Sequence, residues 1–211
     1  SPESFSDTID WALRWVLLLG LPAAVGLITL AGPLMATLFH SGEFTALDVE
    51  MAARSLMAYA AGLMGFLGVK VLAPGYYARL DMRSPVRIAV IALGVNIVVK
   101  LALMAPLGHV GLALATTVSA LVNAGLLLRG LVGAGIYRPP TGWGGLLSKG
   151  LAACAVMGLL VWWGSGPTAA WIGMGDLERI GRLCGWIAAG GAAYGLALLV
   201  LAVRPRDFRP R

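Results

Sequence analysis

The sequence predicts an all-α integral membrane protein with six transmembrane helices and both ends in the cytoplasm. Hydrophobic residues make up 59% of the 211 residues, charged residues make up 12%, and the mean hydropathy is +0.84. A soluble domain needs more charge than this to cover its surface. Apolar runs long enough to cross a bilayer, about 20 residues each, lie at about 15–39, 51–78, 86–107, 110–131, 146–163 and 183–203. Runs this long and continuous predict helices and not barrel strands.

The first two spans each contain a proline. A polar, amphipathic segment, "SPESFSDTIDWALRW", leads into the first span without an initiator Met or a signal peptide, so we expect the chain to be part of a longer membrane protein. Pro22 lies inside the first span and Pro74 near the end of the second. Proline removes a backbone hydrogen bond and kinks a helix. Both prolines are therefore hinge candidates, and the alternative is a static bend.

Polar side chains within the second and third spans are candidates for contact with a substrate. Lys70 lies about 10 Å along the helix from the basic loop that contains Arg79, at the usual rise per residue. Asn96 lies near the middle of the third span, and Lys100 lies about one turn beyond it. A lysine in a membrane helix faces a wet cavity or a partner, or it snorkels to the interface. Both alternatives stay open for Lys70, and Asn96 is also a candidate for a hydrogen bond between helices.

Small residues predict close packing of the last three spans. In the sixth span they recur at every fourth position, a spacing that lets helix backbones approach closely: Gly181, Gly185, Ala189, Ala193 and Ala197. The fifth span repeats Gly150, Cys154 and Gly158 at the same spacing, so the last two helices are expected to pack as a hairpin on these two faces. The fourth span has a small and polar face that suits a bundle interior, formed by Ala113, Thr116, Thr117, Ala120, Asn123 and Ala124.

The distribution of the 16 Lys and Arg residues predicts the orientation, because short cytoplasmic loops hold excess positive charge. Cations cluster after the second, fourth and sixth spans, which places these segments inside the cell. The expected organisation is four helices in 1–131, a cytoplasmic linker in 132–145, a C-terminal helix pair in 146–203 and a basic cytoplasmic tail in 204–211. In the third outer loop, Asp176 and Glu178 offset Arg179 and Arg182.

The sequence contains none of the short motifs that indicate a metal site, a nucleophile or a nucleotide-binding loop. We therefore expect no catalytic residues, no metal, no cofactor and no enzymatic activity. The formal net charge of +6 comes mainly from the predicted inner loops. It indicates contact with anionic membrane lipids and not with nucleic acid.

Three stretches carry a family resemblance: "LGLPAAVGLITLAGPLMATLFHSGEFTALD", "VKVLAPGYYARLDMRSPVRIAV" and "VNIVVKLALMAPLGHVGLALATTVSALVNAGLL". Together they resemble the second half of the MurJ/MviN lipid II flippases of the bacterial inner membrane, which belong to the MOP exporter superfamily. The resemblance runs in order from about residue 5 to 138. It implies that the first four spans end the second lobe of a flippase and that the last two form the extra C-terminal pair, beside a groove for the lipid tail.

The resemblance also implies a function and partners. A lipid-linked peptidoglycan precursor, lipid II, would cross by alternating access of two lobes, and the missing N-terminal helices of the same protein would complete the cavity. Lys70 and Arg79 would attract the anionic pyrophosphate in a cavity open to the cytoplasm. The chain alone is not expected to transport. Alternatives are a non-transporting membrane scaffold or relic, or part of another MOP-type exporter.

Overall fold

A computed structural model describes residues 2–40 and 44–202, with side chains from Ser4 onward, so the predicted basic tail at 204–211 lies outside the described residues. The described residues form helices and no strands. A π-helical segment, Val16–Gly20, joins the first two of ten α-helices. The α-helices are α1 Pro2–Trp15, α2 Leu21–Thr29, α3 Ala31–Phe39, α4 Ala46–Ala61, α5 Leu63–Tyr77, α6 Arg83–Leu107, α7 His109–Gly133, α8 Trp143–Ser165, α9 Thr168–Ile172 and α10 Asp176–Val200.

Within the described residues, six helical stretches are long and apolar enough to cross a membrane, which confirms the predicted fold class and number of spans. They are Ser4–Thr29, Ala46–Tyr77, Arg83–Leu107, His109–Gly133, Trp143–Ser165 and Asp176–Val200. The first stretch begins at Ser4 and not near residue 15, because the amphipathic entry segment is itself helical and continues into the span. Trp143 and Trp163 begin and nearly end the fifth span, about 30 Å apart at the usual helical rise, which is the thickness of the hydrocarbon layer.

Local sequence signals explain where several helices begin and end. Thr45 and Asp48 form a capping box at the start of α4, in which the Thr45 amide donates to the Asp48 carboxylate at 2.8 Å. Gly108 alone separates α6 from α7, with φ of 53° and ψ of −126°. Residues with a Cβ rarely adopt this conformation, so glycine permits the one-residue turn.

Helix α7 is central to the packing of the first four spans. It packs against α4, α5 and α6, and α4 also packs against α2 and α3. A Cβ added at Gly65 of α5 would lie 2.7 Å from the backbone of Ala120, so the two helices approach through glycine. The Thr117 hydroxyl donates to the Ala58 carbonyl at 2.6 Å. These contacts place the predicted small and polar face of the fourth span inside the bundle.

The last two spans pack differently from the prediction. Helices α8 and α10 do contact each other, but Gly181 and Gly185 are exposed and a Cβ at either would meet nothing within 4 Å. The α10 residues that face α8 include Gly190, where a Cβ would lie 3.0 Å from the Val161 side chain. The predicted packing face is therefore wrong at its first two glycines; Ala189, Ala193 and Ala197 are half-buried.

The small face of α8 also packs against another neighbour than expected. A Cβ at Gly158 would lie 2.9 Å from the side chain of Val25, and one at Gly150 would lie 3.9 Å from Leu17 and Leu21. The two glycines of this face therefore approach the first span, whereas Cys154 between them lies near Tyr194 of α10. A row of small residues indicates that some helix approaches closely, but the bundle decides which one.

Candidate functional site

Lys70 lies on a face of α5 that no described helix covers. Lys70, Pro74 and Tyr77 are exposed, whereas Leu72 and Tyr76 on the opposite face are buried. The Tyr76 hydroxyl donates to the Leu127 carbonyl of α7 at 2.8 Å. None of the ion pairs among the described residues includes Lys70. Its ammonium group is therefore available to a ligand or to the membrane interface.

The other two candidate binding residues lie apart from each other. Arg79 is exposed in the turn that follows α5, where its backbone amide donates to the Tyr76 carbonyl at 3.0 Å. Asn96 is half-buried on α6. Helix α7 packs against both α5 and α6, which touch each other little. Lys70 and Arg79 thus lie toward one end of α5, whereas Asn96 lies on a different helix.

The two hinge candidates have different surroundings. Helix α5 continues through Pro74, and the amide of Ala78 donates to the Pro74 carbonyl at 3.0 Å. Pro22 is the second residue of α2, which begins directly after the π-helical segment. Since proline has no N–H, it cannot donate to the carbonyl of Leu18. The hydroxyl of Tyr194 on α10 donates to that carbonyl at 2.9 Å, so the last span stabilises the first at its irregular point.

A buried carboxylate joins the start of the first span to the segment between α7 and α8. Asp10 is 8% exposed. One carboxylate oxygen accepts hydrogen bonds from the Tyr137 hydroxyl and the Trp143 indole, each at 2.8 Å, and the other lies 2.6 Å from Nε of Arg14. The guanidinium of Arg14 lies 5.7 Å from the centre of the Trp143 ring. We call these four residues the Asp10 cluster.

The electrostatics of the Asp10 cluster favour a neutral Tyr137. Burial raises the pKa of the Tyr137 hydroxyl, and its hydrogen bond to the Asp10 carboxylate raises the pKa further. The tyrosine therefore remains a hydrogen-bond donor over the physiological pH range. The cluster is built to hold the interhelical segment in place, and each donor in it has the carboxylate as its acceptor.

Sequence reasoning missed the Asp10 cluster because its members are far apart along the chain. The spacing of Asp10 and Arg14 is the one that pairs opposite charges on a helix, and this signal could have been used. Tyr137 and Trp143 lie 127 and 133 residues from Asp10. No local pattern connects residues at that distance.

A buried arginine joins α10 to the C-terminal end of α3. Arg179 is 7% exposed, and its guanidinium donates to the carbonyls of Ala36 at 2.8 Å, His40 at 3.2 Å and Met174 at 2.9 Å. It thereby satisfies carbonyls at the C-terminal end of α3, where a cation also complements the helix dipole. The predicted neighbour Asp176 lies 3.5 Å away and is largely exposed. Arg179 is thus chiefly a helix cap.

The described part of the chain contains no group of three or more His, Cys, Asp or Glu side chains that could hold a metal ion. Cys154 is buried and Cys184 is exposed, and neither forms a disulfide. The polar side chains that the fold does position, in the Asp10 cluster and at Arg179, fix helices to each other.

Comparisons with known proteins agree on one family. The sequence model of the family described as "Lipid II flippase MurJ" matches residues 2–180. A probable lipid II flippase MurJ of Vibrio cholerae is 43% identical over 209 residues, which cover 98% of this chain and 39% of that protein. A lipid II flippase MurJ of Burkholderia cenocepacia is 39% identical over 214 residues, covering 99% of this chain and 41% of that protein.

A solved structure confirms the fold. A lipid II flippase MurJ in an inward closed conformation superposes with a TM-score of 0.75 at 21% identity, covering 94% of this chain and 39% of the other. The chain therefore spans about two fifths of the length of the relatives it matches.

Proposed function

Because the chain belongs to the lipid II flippase MurJ family, we propose that it works as part of a flippase for a lipid-linked peptidoglycan precursor in the bacterial inner membrane. The observation that carries the proposal is the family match over residues 2–180, together with 43% identity along nearly the whole chain to one relative. The family is one of flippases and not of catalytic enzymes.

The proposed mechanism is alternating access without covalent chemistry. The precursor headgroup crosses through a polar cavity between two moving bodies while its lipid tail stays in the membrane. This chain supplies one body, and helices that complete the length of the relatives supply the other. Helix α6 is a candidate surface for contact between the two bodies, since it packs mainly on α7 and leaves Val98 and Leu101 largely exposed. Such a surface suits contact with further helices or with lipid.

Complementation tests this function. The full-length protein is expressed in a bacterium depleted of its own lipid II flippase, and growth is expected to return. Residues 1–211 alone are expected not to restore growth, because half of a cavity has no opposite wall. Failure of the full-length protein at normal membrane abundance would favour the non-transporting scaffold.

Lys70 is the residue for which we infer contact with the anionic headgroup. Its support is a cation on an uncovered face of α5, four residues before Pro74. Lys70→Met in the full-length protein is expected to weaken complementation, while Lys70→Arg keeps the charge and preserves it. Lys149→Met on α8 is a control that removes a cation elsewhere. Normal growth with well-expressed Lys70→Met would leave Lys70 as an interfacial anchor that snorkels.

A further inference from the structure

An apolar groove lies between the first span, α5, α7 and the segment before α8. Its volume is about 400 Å³, which is within the range of small-molecule sites. The lining includes Leu17, Met64, Leu72, Leu128 and Trp143. Lys70 does not line it, so the groove is separate from the surface proposed above for the substrate headgroup.

The shape of the groove suits one hydrocarbon chain. Along α5 its wall runs from Met64 to Leu72, and along α7 from Ala124 to Val132. Each wall is about 12 Å long at the helical rise. The groove therefore follows the helix axes, as lipid chains do in a bilayer. Gly125 lines it, is exposed, and has open space where a Cβ would lie, which provides a lateral opening.

One end of the groove reaches aromatic residues of the kind found at the membrane interface. Tyr137, Pro139 and Trp143 form this end, and tyrosine and tryptophan prefer the headgroup level. The Asp10 cluster holds Tyr137 and Trp143 in position. The end of the groove is therefore a fixed structure at the depth where a lipid headgroup would begin.

The charge around this end is positive. From Met82 to Gly175 the chain contains no acidic residue. Arg138 is exposed and lies between the two lining residues Tyr137 and Pro139. Arg129 is also exposed, next to the lining residue Leu128. The nearby Asp10 carboxylate is already bound by Arg14, Tyr137 and Trp143. The half-buried Asp7 adjoins Ser6, whose hydroxyl accepts a hydrogen bond from the Arg138 amide, so this end carries two exposed arginines and one further carboxylate.

From the apolar groove and the basic surface at its end, we propose that the protein binds one anionic membrane phospholipid at this site. One acyl chain occupies the groove, and the phosphate lies at Arg138. The anionic headgroup distinguishes this ligand from a zwitterionic phospholipid, because a cation near the membrane surface contributes about 1 kcal/mol of attraction. The site does not depend on the transport activity.

Photo-crosslinking tests the proposal. The chain is placed in nanodiscs that contain phosphatidylglycerol or phosphatidylcholine with a diazirine on one acyl chain, and crosslinked peptides are mapped by mass spectrometry. We expect phosphatidylglycerol to label the groove walls of α5 and α7 about fivefold more than phosphatidylcholine, the effect of one cation. Arg138→Gln is expected to remove this preference. Equal labelling by the two lipids in the unsubstituted chain would overturn the proposal.

Filling the groove provides a second test. Gly125→Phe is expected to remove most of the labelling of the groove walls. Gly191→Phe is the matched control, because Gly191 is also an exposed helical glycine with open space around its Cβ position and lies on α10. If Gly125→Phe fails to fold, Gly125→Leu replaces it. Unchanged labelling in a folded groove-filling variant would contradict the assignment of the site.

The same labelling in the full-length protein distinguishes other occupants. If helices outside this chain cover the groove, the full-length protein will show no labelling there, and the proposal fails. If purified lipid-linked precursor displaces the phosphatidylglycerol label at equal concentration, the groove belongs to the substrate, and the proposal also fails. Labelling that persists in the presence of the precursor supports a resident phospholipid.

Discussion

Removing the Asp10 carboxylate should be among the most destabilising single changes in the described structure. Asp10→Ala removes the carboxylate that pairs with the Arg14 guanidinium and accepts hydrogen bonds from Tyr137 and Trp143. Breaking a buried ion pair from one side costs about 3–5 kcal/mol. The side chains of Arg14 and Asp10 are still 16% and 11% exposed. We therefore expect a loss of stability near the lower end of this range, about 3 kcal/mol.

The assay is unfolding by sodium dodecyl sulfate in mixed micelles, followed by tryptophan fluorescence. Asp10→Asn keeps one oxygen acceptor for Tyr137 and Trp143 but loses the charge that pairs with Arg14, so it should cost less than Asp10→Ala, about 1.5–3 kcal/mol, the contribution of a hydrogen bond to a charged group. Asp7→Ala, three residues earlier on α1, is the matched control and should have little effect. A loss below about 1 kcal/mol for Asp10→Ala, the cost of one ordinary hydrogen bond, would refute the energetic reasoning.

Three further predictions concern the last span, a turn and the orientation. Tyr194→Phe should cost about 1 kcal/mol, the contribution of one hydrogen bond, whereas Tyr77→Phe should be neutral in the same unfolding assay; equal costs would count against a role for the hydroxyl. Gly108→Ala should cost about 1–3 kcal/mol from backbone strain alone, and a neutral result would show that the turn adapts. In a chain without native cysteines, cysteine at Gly175 should react with an impermeant thiol reagent added outside and cysteine at Thr141 should not; the reverse pattern would contradict the predicted orientation.

The lengths of the apolar runs predicted the spans, because the thickness of the bilayer sets the length of a membrane-spanning helix independently of tertiary contacts. The first span shows the limit: its amphipathic entry segment has the charge of a loop, yet it is helical because Asp10 and Arg14 compensate each other and face protein. A hydropathy pattern cannot include that compensation. The span therefore includes α1 and begins at Ser4, whereas the apolar run alone begins near residue 15.

The sequence did not indicate which helix packs against which face. The repeated glycines of α10 at positions 181 and 185 have the spacing of a packing face, but they lie exposed. Arg179, two residues earlier, had the pattern of a solvated loop cation and is buried as a helix cap. The burial of Arg179 depends on contacts with α3, about 140 residues away in sequence, and no local pattern indicates such a contact.

The candidate binding residues Lys70 and Asn96 lie in different surroundings. Exposure and the lack of an ion pair within the described residues keep Lys70 available for a headgroup, as its sequence context indicated. Asn96 is half-buried on a helix that packs mainly against α7. The sequence could identify both as polar residues in apolar helices, but not the surface that each one faces.

Transport by the purified full-length protein tests the central claim most directly. Liposomes are loaded with a fluorescently labelled lipid-linked precursor, and an impermeant reagent added outside reports the fraction exposed on the outer leaflet over time. The full-length protein is expected to increase the rate of exchange between leaflets above that of empty liposomes, and residues 1–211 alone are expected not to. A folded full-length protein with no increase, or clear transport by residues 1–211 alone, would contradict the assignment of this chain as one part of a two-body flippase.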